Sequence, residues 1–149
     1  MLLDIAARIV LLPVLMGQAL YVRSNITQLP EPQGARSGTC GSGPRLRILV
    51  LGDSSAMGLG ANTQTEALLG QIIHALSPQF TLTFDLVAVT GARTSDALAW
   101  LSSLPAEHYD VVVTALGVND VTKGTSLRRF LALQTRLIER LQAERQAKL

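Results

Sequence analysis

The chain has 149 residues, a formal net charge of +2 and an apolar content of 48%, which together predict one globular domain with a buried core. Its arginines are scattered over linker and helix positions without interleaved aromatic residues, so we do not expect a nucleic-acid surface. One cysteine, Cys40, and two histidines, His74 and His108, cannot supply an internal disulfide or a cysteine–histidine metal site. The sequence therefore predicts no metal site, and it does not indicate whether the protein lies in an oxidising or a reducing compartment.

An apolar run begins the chain, where residues 9–22 read IVLLPVLMGQALYV between Arg8 and Arg23. It is typical of a signal sequence or an uncleaved signal anchor, and we assign residues 1–23 to this segment. A membrane span takes about 20 residues, so the run is short, and an amphipathic or core helix is the alternative. The sequence predicts a membrane-associated or exported protein. The side of the membrane stays open, because the arginines that follow favour a cytoplasmic domain whereas a signal peptide favours export.

The next segment, residues 24–44, reads SNITQLPEPQGARSGTCGSGP. Its proline, glycine and serine content and its lack of apolar periodicity are typical of a linker. We therefore expect the folded domain to cover residues 45–149.

Three short apolar runs alternate with helical patterns along this domain. They predict strands at residues 46–51, 81–89 and 110–116, and helices at 64–76, at 95–101 and over the apolar positions from 127 to 141. Thr63 and Glu66 stand three residues apart, which predicts a capping box at the start of the first helix. Strands that alternate with amphipathic helices predict right-handed crossovers and a parallel sheet covered on both faces, a three-layer α/β/α fold.

The loops after the three strands carry the unusual residues. They read GDSS at 52–55, VTGAR at 89–93 and GVND at 117–120. Ligands bind beyond the carboxyl ends of the strands in such sheets, so we expect these loops to converge on one site. Each motif alone is common turn or cap chemistry, but the three together at successive strand ends favour a catalytic site.

These loops resemble blocks one, two and three of the GDSL or SGNH hydrolase family, in the family's order and each at a strand's end. The resemblance covers residues 45–149 and implies a flavodoxin-like sheet and a serine hydrolase of carboxylic esters that uses no cofactor. It implies that Ser54 is the nucleophile, and that its backbone amide, the amide of Gly91 and the side chain of Asn119 form the oxyanion hole.

Physical reasons accompany these implied roles. Ser54 directly follows a strand at a tight turn, where unpaired amides can face developing negative charge. Gly91 lacks a Cβ, so a substrate oxygen can approach its amide closely. Asn119 offers uncharged amide protons to an oxyanion. We expect Asp53 and Asp120 to support the loops rather than to take part in the chemistry.

A serine nucleophile needs a histidine base, which the family takes from a DxxH segment near its C-terminus. No histidine or aspartate follows Asp120 in this chain. His108 precedes the third strand and is expected at the opposite end of the sheet, and His74 lies about ten residues into the first helix, on the order of 15 Å from the site. Neither is expected to reach Ser54.

The predicted sheet also lacks the further strands that the family's order implies beside residues 110–116, which would leave an exposed apolar edge. We therefore interpret the chain as a truncated SGNH hydrolase domain that is inactive or weakly active by itself. Its expected partner is a small-molecule acyl or acetyl ester. The alternative is a noncatalytic module, or pseudoenzyme, whose crevice binds a ligand without turnover.

Overall fold

A computed structural model describes residues 2–25, 27, 29–104 and 108–145. The strands are β1 Ser37–Cys40, β2 Arg45–Gly52, β3 Thr81–Ala88 and β4 Val111–Ala115. The helices are α1 Leu2–Asn25, α2 Ser54–Met57, α3 Leu68–Leu76, α4 Thr94–Trp100, α5 Val118–Thr122 and α6 Leu127–Arg145.

The four strands form one mixed sheet in the order β1-β3-β2-β4. Strands β3, β2 and β4 run parallel, and in their register Gly52 pairs with Ala88 on one side and Ala115 on the other. The carboxyl ends of the three strands therefore lie level, and the loops that follow them begin at the same edge. Within the described residues β4 has a strand neighbour on one side only, as the sequence predicted for residues 110–116.

Helices cover both faces of the sheet, which confirms the predicted three-layer α/β fold. Residues 48–52 of the central strand β2 are buried on both faces of the sheet, as the continuous apolar run at 48–51 predicts. Its residues Leu49 and Leu51 pack in a core with α4 and α6, whereas Ile48 and Val50 pack in a second core with α2 and α3.

The sheet differs from the prediction at one edge, because β1 pairs antiparallel with β3. This strand lies inside residues 24–44, which we predicted to be a linker. The backbone of Arg36 also accepts a hydrogen bond from Leu86 over 2.7 Å. The sequence of β1, SGTC, has neither apolar alternation nor bulk, so nothing in its pattern indicates a strand. Backbone pairing to β3 holds it instead.

The capping box predicted for Thr63 and Glu66, at the start of the helix predicted over 64–76, is wrong. This helix is α3, which begins at Leu68, four residues later than predicted, and its N-cap Ala67 makes no side-chain hydrogen bond. The Glu66 carboxylate instead accepts a hydrogen bond from the Asn62 amide over 3.1 Å. Residues 62–66 therefore form a separate turn before the helix, since side-chain bonds of this kind compete with helix formation. The predicted strands and the helix at 95–101 agree with the structure to within one or two residues, and the last helix begins at Leu127 as predicted but continues four residues beyond 141, to Arg145.

The N-terminal apolar run lies in α1. Its large apolar side chains from Val10 to Val22 are exposed by 50–74%, so this part of the helix is not packed in the core. Of the helices that the structure describes, none is long and apolar enough to cross a membrane. Membrane association and export remain predictions.

Candidate active site

The first loop holds Ser54 at the end of the central strand. Gly52 lies so close to β4 that a Cβ there would stand 2.5 Å from the Ala115 carbonyl oxygen, so only glycine fits. The next amide, that of Asp53, donates to the same oxygen over 3.0 Å. Asp53 then caps the short helix α2, of which Ser54 is the first residue. The chain thus turns abruptly from strand to helix, and half-buried Ser54 lies at the turn.

Two backbone amides at this edge are unused. Neither the Ser54 amide nor the Gly91 amide donates a hydrogen bond within the described part of the chain. Gly91 lies in a turn closed by a 3.1 Å hydrogen bond from the Ala92 amide to the Val89 carbonyl, and its φ is +80°. That angle is open to glycine and strained for other residues. Both amides are free to donate to a negatively charged oxygen.

The third loop brings Asn119 to the first. Its side-chain Nδ2 donates to Oδ2 of Asp53 over 3.1 Å. An amide nitrogen has two protons, so the second remains available for another acceptor. The structure therefore joins the first and third loops directly, and it places the donor group of Asn119 beside the loop that carries Ser54.

The Asp53 carboxylate organises this part of the site. It is only 2% exposed, and its Oδ1 accepts hydrogen bonds from the Ser55 amide over 2.9 Å and from the Ser55 hydroxyl over 2.8 Å. With Asn119 on the other oxygen, both carboxylate oxygens have donors, as a buried charge requires. These contacts fit the supporting role that we predicted for Asp53.

Asp120 lies in a second buried network and is 1% exposed. Its Oδ2 accepts from the amide and the hydroxyl of Thr94, over 2.9 and 2.8 Å. The Thr94 hydroxyl in turn accepts from Gln134 of α6 over 2.9 Å. The network ties the third loop to the first turn of α4 and to α6, which fits a loop-orienting role for Asp120.

Sequence reasoning missed Thr94 and Gln134. One signal could have revealed Gln134, because it precedes Leu137 by three residues and Leu141 by seven. This spacing puts all three on one face of a helix, and both leucines are fully buried. A glutamine on a buried stripe requires a polar partner.

Lys123 is a third contact that the sequence did not indicate. Its ammonium group lies 2.7 Å from the carbonyl oxygen of Gly91. This hydrogen bond joins the third loop to the second and fixes the peptide that follows Gly91. A cation therefore stands beside the turn that contains the unused Gly91 amide.

The two histidines lie elsewhere. His108 contacts Asp110, with 3.3 Å between Nε2 and Oδ1. The amide of Asp110 donates to the Arg47 carbonyl, five residues before Gly52, which is about 16 Å along a strand. This confirms that His108 lies at the far end of the sheet. His74 borders a cavity beside Cys40, which pairs with Leu82 near the start of β3.

A shallow cavity of about 350 Å³ adjoins Gly91 in the second loop of the site, and its walls include Val89, Ala99 and Trp100.

Among the residues with described positions, no group of three or more histidine, cysteine, aspartate or glutamate side chains could hold a metal ion.

Solved structures of esterases resemble this fold. AlinE4, an esterase of the SGNH-hydrolase family, is 26% identical with a TM-score of 0.59, and the match covers 69% of this chain and 56% of AlinE4. The psychrotrophic esterase EstA from Pseudoalteromonas sp. is 24% identical with a TM-score of 0.53, over 66% of this chain and 55% of EstA. Axe2, an acetylxylan esterase from Geobacillus stearothermophilus, is 17% identical with a TM-score of 0.53, over 68% of this chain and 57% of Axe2.

EstA and Axe2 are similar to this chain in fold. The chain spans little more than half the length of each of the three proteins. No protein with a curated function matches the chain significantly. The model of the GDSL-like lipase/acylhydrolase family matches residues 50–149, which include all three loops of the site. The chain belongs to the GDSL-like lipase/acylhydrolase family.

Proposed function

We propose that this chain carries the nucleophile and the oxyanion hole of a carboxylic-ester hydrolase that works through an acyl-serine intermediate. The observation that carries the proposal is the meeting of three loops at one edge of the sheet. Ser54 begins a helix there, two backbone amides are unused, and Asn119 is bonded to the nucleophile loop through Asp53.

In the proposed reaction the Ser54 hydroxyl oxygen attacks the ester carbonyl carbon while a base removes its proton. The carbonyl oxygen becomes an oxyanion, which accepts hydrogen bonds from the amides of Ser54 and Gly91 and from Asn119 Nδ2. Collapse of this intermediate breaks the ester C–O bond, and the alcohol leaves with a proton. Water then hydrolyses the acyl-serine and restores the hydroxyl.

These 149 residues do not by themselves supply the base that removes the proton from the Ser54 hydroxyl. Neither His74 nor His108 lies near Ser54, and the family resemblance implies a DxxH segment that the sequence does not contain after Asp120. We propose that the chain alone turns over esters weakly or not at all, with only the residual catalysis that an oxyanion hole and binding provide.

The proposed substrate is a small acyl or acetyl ester. The cavity beside Gly91 supports this, because an acyl group attached to Ser54 with its oxyanion on the Gly91 amide would lie next to that cavity. Its bordering side chains include Ala99 and Trp100, which offer apolar contacts. Axe2 is an acetylxylan esterase, and a carbohydrate acetyl ester is one member of the class proposed here.

Added imidazole tests the proposal by replacing the absent base. Hydrolysis of p-nitrophenyl acetate would be measured with and without imidazole, using the chain, its Ser54→Ala variant and a Ser103→Ala control. Ser103 is exposed in the turn that follows α4 and bonds only to Trp100 within the described residues. We expect imidazole to raise the rate of the chain and the control above that of Ser54→Ala, and Ser54 to be the acetylated residue in the mass spectrum.

Equal rates for the chain and Ser54→Ala in imidazole, with no acetyl group on Ser54, would reject the hydrolase proposal. The noncatalytic alternative would then be favoured if the folded chain still bound p-nitrophenyl acetate analogues in the crevice. A Ser103→Ala variant as inactive as Ser54→Ala would show that the loss does not report on the nucleophile.

A further inference from the structure

The cavity beside Gly91 has a wall that is both polar and aromatic. Asp96, Ala99 and Trp100 of α4 border the cavity together with residues 89–92 of the second loop. Residues three and four apart lie on the same face of a helix, so these three side chains of α4 form one wall. That wall combines a carboxylate with an indole ring.

One oxygen of the Asp96 carboxylate is available to a ligand. Oδ2 accepts a hydrogen bond from the Arg93 amide over 2.8 Å and lies 4.0 Å from Arg93 Nε. Oδ1 accepts no hydrogen bond within the described part of the chain, and the Asp96 side chain is 42% exposed. A carboxylate oxygen accepts hydrogen bonds and donates none. The wall therefore offers a charged acceptor to a donor on the ligand.

Trp100 lies one helical turn after Asp96. Its side chain is partly buried and packs against the core that contains Leu98 and Leu101. The core contact restrains this large side chain at the edge of the cavity. An indole ring in this position offers a flat apolar surface to a ring of the ligand.

The charges around the cavity narrow the ligand further. Arg93 stands beside Asp96, and the Lys123 ammonium group lies 2.7 Å from the Gly91 carbonyl oxygen. Two cations outnumber one carboxylate, which disfavours a cationic ligand, whereas the free Oδ1 repels an anion. A long hydrocarbon chain would cover the carboxylate without donating to it, which costs free energy. An uncharged ligand with hydroxyl groups and an apolar face fits both parts of the wall.

We propose that Asp96 and Trp100 select the alcohol part of the ester, and that this part is a sugar ring. A hydroxyl group of the ring donates to Oδ1 of Asp96, and the C–H face of the ring packs against Trp100. An acetyl group next to the Gly91 amide is small, so most of the cavity of about 350 Å³ is left for the sugar.

This inference rests on the proposed function, because it assigns the alcohol part of the same ester. Ser54 Oγ bonds to the acetyl carbon, the ester C–O bond breaks, and the sugar hydroxyl leaves with the proton. Asp96 and Trp100 bind the sugar and take no part in these bond changes.

Trp100 reports on binding directly, because it is the only tryptophan of the chain. Its fluorescence would be titrated in the unaltered chain without imidazole, and in Ser54→Ala to exclude turnover. The ligands are methyl 2-O-acetyl-β-D-xylopyranoside and its 3,4-di-O-methyl ether, of which only the first has hydroxyl donors. We expect a saturable change with the first, and a half-saturating concentration about tenfold higher for the ether.

An amide in place of the carboxylate tests the hydrogen bond. Asp96→Asn keeps an oxygen for the Arg93 amide and puts an NH₂ group in place of the free oxygen. This group donates equally well to a hydroxyl and to an ether oxygen, so the two half-saturating concentrations should come within about twofold of each other. Glu139→Gln makes the same change of charge at an exposed position that does not border the cavity, and should keep the tenfold preference.

Stacking on Trp100 is tested by kinetics, because its replacement also removes the fluorophore. Imidazole-supported release of acetate from the sugar ester would be measured for Trp100→Leu and Trp100→Phe. Trp100→Leu is expected to raise the KM about 3- to 10-fold with little change in kcat, and Trp100→Phe should recover part of the loss. A fall in kcat alone would contradict the binding role.

The two ligands on the unaltered chain decide the proposal even if Asp96→Asn does not fold. Equal half-saturating concentrations, or no saturation by either ligand, would reject the sugar site. If p-nitrophenyl acetate still acetylated Ser54, the hydrolase function would stand and only the sugar assignment would fail. A tenfold preference without acetylation of Ser54 would support the sugar site and reject the hydrolase function. Loss of the preference in Glu139→Gln would reject the assignment to Asp96.

Discussion

Nδ2 of Asn119 donates to Oδ2 of Asp53 over 3.1 Å, and this one hydrogen bond joins loops that are 66 residues apart in the chain. The bond holds the proposed oxyanion donor against the loop of the proposed nucleophile. It also leaves one amide proton of Asn119 for a substrate oxygen. The arrangement of the site can therefore be tested residue by residue.

Replacement of Asn119 by alanine is expected to lower the imidazole-supported kcat by about 10²–10³-fold, because one oxyanion donor is lost. The KM should change little, since the donor acts on the charge that develops in the transition state. Both constants would be measured for p-nitrophenyl acetate hydrolysis. A fall in activity through KM alone would contradict the oxyanion role.

The Asp53→Asn substitution should lower the free energy of unfolding by about 1–3 kcal/mol. An asparagine directs an amide nitrogen at one of the two positions that now accept hydrogen bonds, so either Asn119 or Ser55 loses its acceptor. Urea unfolding would measure the change. Glu139→Gln, on the exposed side of α6, makes the same change of charge and is expected to stay within about 0.5 kcal/mol of the unaltered chain.

The buried network of Asp120, Thr94 and Gln134 is expected to act as a unit. Asp120→Asn and Thr94→Val should each destabilise the fold by about 1–3 kcal/mol. The double variant should lose less than the sum, because each change already breaks the shared hydrogen bond. Urea unfolding of the three variants gives the coupling energy. Strict additivity would show that the two side chains do not depend on each other.

Lys123→Met should lower the imidazole-supported kcat by about 3- to 10-fold, with a smaller effect on stability, because the bond to the Gly91 carbonyl is exposed. Lys123→Arg keeps a donor and should recover part of the rate. Arg128→Met removes the same charge from an exposed position at the start of α6. If Arg128→Met slowed turnover equally, the effect would come from net charge and not from the contact with Gly91.

Gly91→Ala is expected to cost about 1–2 kcal/mol of stability, since an L residue is strained at its φ of +80°, and to lower turnover as well. Gly124 has a similar φ of +73°, and a Cβ there would meet nothing within 4 Å. Gly124→Ala should therefore lose similar stability and keep most of the activity. Urea unfolding and the esterase assay on both variants separate strain in the fold from strain in the site.

The sequence by itself was enough to predict the α/β layers and the edge where the site lies. Continuous apolar strands such as Leu46–Leu51 must be buried on both faces, and parallel strands bring their carboxyl ends together. The loops with Ser54, Gly91 and Asn119 could therefore be placed at one edge before any contact was known. The same reasoning placed His108 at the opposite end of the sheet.

The tertiary structure alone decided which side chains meet. Three contacts join residues that are 26 to 66 positions apart, namely Asp53 with Asn119, Asp120 with Thr94, and Lys123 with Gly91. A sequence pattern that extends over a few residues cannot predict contacts between residues so far apart. Strand β1 was missed for a related reason, because its backbone pairs with β3 while its side chains carry no apolar signal. Local periodicity reports burial against a core, whereas hydrogen bonds between distant loops depend on how the whole chain folds.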